Sequence, residues 1–79
     1  MNVNKAVALR ISQLLKEKDI TQYRLAMNCG LTHSTLKNIM HGTIKDNLLS
    51  TIIIIAHGFK MTLSEFTDSE LFNIDNLNI

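Results

Sequence analysis

Apolar residues recur every three or four positions in the first part of the chain. Val7, Ile11, Leu14 and Leu15 follow this spacing within residues 4–18, a stretch that contains neither Gly nor Pro. Side chains three and four residues apart share one face of an α-helix. The pattern therefore predicts a first amphipathic helix that turns this face toward a core.

Two shorter segments follow, each with a polar start and a glycine stop. Thr21 can cap a second helix that ends at Gly30, and Thr32 can cap a third that ends at Gly42. A threonine hydroxyl satisfies an unpaired N–H at a helix start, and glycine takes the left-handed conformation that ends many helices. These signals predict two short consecutive helices.

Residues 48–56 are almost continuously apolar and predict a fourth helix, with Asp46 or Asn47 as its cap. Its four consecutive isoleucines, residues 52–55, favour a strand by local propensity. A single strand would have no partner in this chain, so we expect a helix here.

A fifth short helix and a tail complete the predicted architecture. Residues 62–65 have the Thr-x-x-Glu form of a capping box, and Leu63 and Phe66 would close the core. Apolar and polar residues alternate over 72–79, which suits a strand added at a dimer interface or, as we expect, a frayed terminus. The expected fold is all-α, with a compact five-helix domain over residues 1–68 and a tail over 69–79.

Composition narrows the class of protein. A chain of 79 residues has room for one hydrophobic core, and its lack of Trp and Pro argues against a turn-rich barrel or sandwich. The single cysteine, Cys29, cannot form an internal disulfide, and the longest apolar run, 52–56, is far shorter than the roughly 20 residues of a membrane span. No signal-like segment follows Met1. We therefore expect a soluble cytoplasmic protein.

Charge is distributed unevenly along the chain. The formal net charge is only +1, but residues 1–45 carry seven Lys or Arg against two Asp or Glu, which gives +5, and residues 46–79 carry one against five, which gives −4. Such a polarity can orient a basic face toward phosphates. An ordinary mixed surface explains the same numbers equally well.

The most informative segment covers residues 22–42. Ala26 supplies a small side chain where two short helices cross, and Gly30 permits the tight turn between them. If the apolar residues of the third helix face inward, four polar residues remain on its outward face: His33, Ser34, Lys37 and Asn38.

This segment resembles the phage-repressor/Cro-type (XRE-like) helix-turn-helix family. The residues that match at the family's spacing are Gln22, Leu25-Ala26, Gly30, Leu31-Thr32, Leu36, Ile39 and Gly42, followed by Ile55-Ala56 and Leu63-x-x-Phe66. The resemblance covers about residues 5–67. It implies a lambda-repressor-like domain whose third helix enters the major groove of double-stranded DNA, with dimers reading paired half-sites.

The resemblance also implies roles for individual residues. His33, Ser34 and Asn38 match positions that read bases, and an Asn side chain can bond an adenine edge bidentately. For Asn38 the alternative is a merely solvated polar face. The residues expected to contact phosphates are Gln22, Thr32, Lys37 and Lys45. For Lys37 and Lys45 the alternative is a simple surface lysine. Arg10 is a weaker phosphate candidate.

The sequence departs from the family pattern at two places. Many members carry an Arg late in the first helix and a Glu late in the third, which form a buried ion pair, whereas this chain has Leu15 and Met40. Replacing both charges is coherent, because losing one would leave the other unpaired. Lys60 stands where a Gly often follows the fourth helix, and Gly58 lies two residues earlier. The sequence therefore does not fix the residue at which the fourth helix ends.

The function that these features predict is a dimeric transcriptional regulator, more specifically a repressor of a palindromic operator. The alternative is a protein-interaction module on the same fold, such as an antitoxin or anti-repressor, which the weak net charge favours. His33, His41, His57 and Cys29 lack the spacing of a metal site, and Ser34 lacks the elements of a catalytic nucleophile. We expect no cofactor, no small-molecule ligand, no membrane partner and no catalysis.

Overall fold

A computed structural model describes residues 1–42 and 48–78. Within them the chain forms helices α1 (Val3–Lys18), α2 (Gln22–Cys29), α3 (His33–His41), α4 (Leu49–Gly58) and α5 (Leu63–Thr67). Two single 3₁₀ turns follow, Glu70–Phe72 and Ile74–Asn76, and the described residues contain no strand. The all-α, five-helix prediction is confirmed.

Threonines begin three of the helices, as the sequence predicts. The hydroxyl groups of Thr21, Thr32 and Thr62 accept hydrogen bonds from backbone N–H groups in the first turns of α2, α3 and α5. In α5 the box is reciprocal, because the Glu65 carboxylate accepts from the Thr62 N–H at 2.9 Å. This backbone hydrogen bond is the main reason that the pKa of Glu65 lies below its ordinary value.

Residues in the left-handed region follow the first four helices. Gly30 and Gly42 have φ of 70° after α2 and α3, where glycine carries no steric penalty. Asp19 after α1 and Lys60 after α4 adopt the same region, with φ of 53° and 61°. Lys60 therefore adopts a backbone conformation that glycine takes more easily, because glycine has no side chain. Helix α4 itself ends at Gly58.

The isoleucine run is helical, so the fourth helix is confirmed. Leu48 stands at its N-terminal cap and makes no side-chain capping bond, while the predicted caps, Asp46 and Asn47, lie outside the described residues. Ile55 is fully buried and Ile52 partly so, whereas Ile53 and Ile54 are exposed. Burial of one side of α4 against the other helices outweighs the strand preference of its β-branched residues.

One hydrophobic core connects all five helices. Its members share almost complete burial; they are Val7, Ile11, Leu14, Leu25, Ala26, Leu36, Ile39, Ile55, Ala56, Phe59 and Phe66. The core holds α2 between α3 and α4, while α1 packs on α3 and α5 packs on α4. Leu63, expected in the core, is only half-buried and is not one of its members.

Two small residues bring α2 close to its neighbours. Ala26 is 2% exposed, as expected of a residue at a helix crossing. The second is Gly58 on α4, where a Cβ atom would overlap Cys29 Sγ and lie 3.2 Å from Leu25 Cδ1. No local signal predicts this second contact, because it depends on how α4 lies against α2.

The tail packs against the domain over its described residues, and its expected part in a dimer stays a prediction. Its described residues form neither a strand nor an irregular end but the two 3₁₀ turns, the first of which packs along α1. Phe72 packs on the core, with its ring centroid 6.1 Å from that of Phe66, whereas Ile74 is exposed. The Asn78 N–H donates to the Met1 carbonyl at 2.7 Å. Contacts with the rest of the domain, rather than the alternation, therefore decide which tail side chains are covered.

Candidate nucleic-acid interface

A tight turn joins α2 to α3 and fixes their relative orientation. Gly30 ends α2, and the Leu31 N–H donates to the Ala26 carbonyl at 3.0 Å across the turn. Thr32 then starts α3 at once. Buried Leu25 and Leu36 secure the two helices from within, so α3 is held as a rigid element on the surface.

The predicted reading residues occupy one exposed face of α3. His33, Ser34 and Asn38 are all exposed, while Leu36 and Ile39 bury the other side of the helix. Lys37 is exposed on the same face, one turn after His33. The structure therefore brings these four residues together, as expected from the helical spacing.

Two predicted phosphate contacts lie at helix starts. Gln22 is the exposed first residue of α2, and Thr32 caps α3. N-terminal amides and the helix dipole favour anions at both places. The Thr32 hydroxyl is already engaged, since it accepts from the Thr35 N–H at 3.1 Å and donates to Thr35 Oγ1 at 2.8 Å. A phosphate bound there would meet backbone N–H groups of the first turn.

The remaining basic candidates differ in their surroundings. Lys45 lies outside the described residues. Arg10, the weaker phosphate candidate, instead uses two of its donors within the domain: Nε donates to the Phe66 carbonyl at 2.7 Å and Nη2 to the Glu65 carbonyl at 3.0 Å. This contact joins α1 to α5 and gives Arg10 a structural role that its charge alone did not reveal.

Two exposed residues beside this face were not among the residues predicted from the sequence. Tyr23, on α2, is 64% exposed and its ring contacts that of His33. His41 is the exposed last residue of α3 and stands two turns after His33. The helical spacing of His33, Lys37 and His41 was a usable signal for this last residue.

The described residues contain no group of three or more His, Cys, Asp or Glu side chains able to hold a metal ion, and no helix among them has the length and apolar character needed to cross a membrane. Burial raises the pKa of the Cys29 thiol, and a hydrogen bond with the Gly58 backbone opposes that shift. A raised pKa keeps the thiol protonated, which is the unreactive form.

Two capped helices joined by a glycine turn, with a polar face on the second, define a helix-turn-helix domain. The family model for the Cro/C1-type HTH DNA-binding domain matches residues 10–70. The chain therefore belongs to this family and is a DNA-binding regulator. No curated protein and no solved structure matches it.

Proposed function

We propose that the protein is a transcriptional repressor that binds a palindromic operator as a homodimer, with α3 of each subunit in the major groove. One observation carries the proposal: α3 keeps His33, Ser34 and Asn38 exposed along one face while its other face is fixed in the core. Each of these side chains can donate and accept hydrogen bonds, which is what base edges in the major groove require.

Phosphate contacts would set the register of this helix on the duplex. Gln22 and Thr32 lie at the N-termini of α2 and α3, and Lys37 adds an exposed cation to α3. Lys45, from the segment after α3, is proposed as a further phosphate contact. Contacts of this kind orient a protein without carrying sequence information.

A dimer is proposed because one short helix makes too few base contacts to select one site in a genome. The domain measures 33 × 23 × 21 Å, so two touching copies can present their recognition helices to half-sites about 34 Å apart. A dimer bound across a promoter would repress by excluding polymerase from the same DNA.

Selection from a library of randomised duplexes tests this function. We expect enrichment of an inverted repeat with half-sites about one helical turn apart, bound by two chains in sedimentation measurements of the complex. The triple variant His33→Ala/Ser34→Ala/Asn38→Ala should lose the selected preference and still fold, as its circular dichroism spectrum and a cooperative thermal melt would show. Gln13→Ala, an exposed polar residue on α1, is the matched control and should change neither.

The second candidate function is a protein-interaction module on the same fold. The formal net charge of +1 favours it, since many DNA-binding domains are more basic. Wild-type protein that enriches no sequence, and binds no duplex at low salt where phosphate attraction is strongest, would contradict the repressor and favour this alternative.

A further inference from the structure

An aromatic contact joins the two helices of the motif at their N-terminal ends. Tyr23 is the second residue of α2 and His33 is the first residue of α3. Their ring centroids lie 6.1 Å apart and the ring planes are inclined by 75°, which is the edge-to-face arrangement that aromatic pairs prefer.

Core packing does not account for Tyr23. Its side chain is 64% exposed, and α2 buries Leu25 and Ala26 instead. A large aromatic residue is thus held at the surface, against a residue that the proposed function places among the base-reading set.

We propose that Tyr23 is a positioning residue that orients the His33 imidazole for base recognition and thereby sets the preference at one base position of each half-site. The inference rests on the proposed function, because it requires α3 to lie in the major groove. In this proposal Tyr23 acts through His33 and needs no contact of its own with a base.

Orientation matters for an imidazole more than for most side chains. Its two ring nitrogens point in fixed directions, and a neutral ring has one donor and one acceptor, so rotation about the side-chain bonds exchanges what a base edge meets. A histidine at the first position of a helix has no preceding turn to restrict it. A neighbouring ring can supply that restriction before binding and so reduce the ordering cost of the complex.

The test compares substitutions at Tyr23 on the duplex selected by the wild-type protein and on its single-base variants. Tyr23→Leu should lower discrimination about two- to fivefold, at the same base position that His33→Ala affects, in line with the strength of an exposed aromatic pair. Tyr23→Phe keeps the ring and should retain the wild-type preference. Met27→Leu, an exposed apolar residue one turn further along α2, is the matched control and should also retain it.

A double variant separates positioning from an independent contact. If Tyr23 acts through His33, Tyr23→Leu produces no further drop in discrimination in the His33→Ala background. Additive losses of discrimination would overturn the proposal in favour of an independent contact of Tyr23 with a base. A Tyr23→Leu effect that is equal on every sequence would overturn it in favour of a contact with the DNA backbone. Failure of Tyr23→Phe to retain the preference would also overturn it, since it would assign the effect to the hydroxyl group.

A readout in the free protein follows the ring pair itself. The imidazole proton resonances of His33 should shift in Tyr23→Leu because the ring current of the tyrosine is removed, and should stay near their wild-type positions in Tyr23→Phe. Unchanged resonances in Tyr23→Leu would overturn the proposal even if DNA binding is normal. If the wild-type protein selects no sequence at all, the proposed function fails and the inference fails with it, a result distinct from a selected sequence to which Tyr23 is indifferent.

Discussion

Arg10 on α1 caps the C-terminal end of α5: its Nε donates to the Phe66 carbonyl at 2.7 Å, and Nη2 donates to the Glu65 carbonyl at 3.0 Å. The last carbonyls of a helix have no partner within it, and a cation near them is favoured by the helix dipole. Arg10 and Phe66 are far apart along the chain, so the Arg10 side chain connects the five-residue helix α5 to the 16-residue helix α1.

The first prediction follows from this arrangement. Arg10→Ala should lower the free energy of unfolding by about 1–2 kcal/mol, because two carbonyls are deprived of a charged donor. Urea denaturation followed by circular dichroism measures the change. Arg24→Ala removes an exposed arginine from α2 and should stay within about 0.5 kcal/mol of wild type. Equal stability of Arg10→Ala and Arg24→Ala would contradict the capping role.

Leu15 and Met40 stand where many family members carry an ion pair, and both are half-buried against the core. Met40→Glu should lower the free energy of unfolding by about 2 kcal/mol, since it places an unpaired carboxylate at the packed surface between α1 and α3. Adding Leu15→Arg should restore much of that stability. A double variant as unstable as the sum of the two single variants would show that the two positions do not interact.

Gly58 and Cys29 form a close approach between α4 and α2. Gly58→Ala should destabilise the protein by about 1–3 kcal/mol, because the new methyl group overlaps Cys29 Sγ. Cys29→Ala in the same chain removes the sulfur and should recover part of that stability. Thermal melts of the four combinations measure the coupling, and additive effects would be inconsistent with a steric conflict between these residues.

Lys60 has φ of 61°, a conformation that costs an L-residue about 1–2 kcal/mol relative to the right-handed region. Lys60→Gly should therefore raise the free energy of unfolding by about 0.5–1 kcal/mol, after the entropy that glycine adds to the unfolded chain is subtracted. Urea denaturation measures this gain. A decrease in stability for Lys60→Gly would refute the interpretation of the α4 terminus as a strained left-handed end.

Gly30→Ala is the reverse substitution and serves as the control for Lys60→Gly. Beyond its chain neighbours no atom lies within 4 Å of the new Cβ, so a decrease of about 1 kcal/mol in the free energy of unfolding would report backbone strain, reduced by the entropy that alanine removes from the unfolded chain, with no steric conflict. Unchanged stability would show that the left-handed region carries little penalty in this protein.

Substitution of a proposed base-reading residue and of a proposed phosphate-binding residue should weaken DNA binding in different ways. Asn38→Ala should weaken binding to the selected duplex by about 1–3 kcal/mol and leave binding to scrambled DNA nearly unchanged. Lys37→Ala should weaken both and lower the slope of log affinity against log salt by about 0.9 for each phosphate that is no longer neutralised. Lys16→Ala, on α1, is the control for a lysine outside the motif. If Asn38→Ala weakens binding to both duplexes equally, Asn38 does not read a base.

Local signals in the sequence determined the helices. Thr21, Thr32 and the Thr62–Glu65 box fixed three starts, and Gly30 and Gly42 fixed two ends, because capping is a matter of a few neighbouring residues. The exposed face of α3 was equally predictable, since a helix turns by a constant angle and its buried side was marked by Leu36 and Ile39.

Contacts between distant parts of the chain were decided only by the tertiary structure. Arg10 meets α5, Gly58 meets Cys29, and the tail turns back along α1 so that Phe72 packs on the core. Tyr23 meets His33 for the same reason, because the angle between α2 and α3 brings their first turns together. Spacing along a sequence specifies which side chains share one helix face. Which faces of different helices meet depends on how all the buried surfaces fit together, and no single segment contains that information.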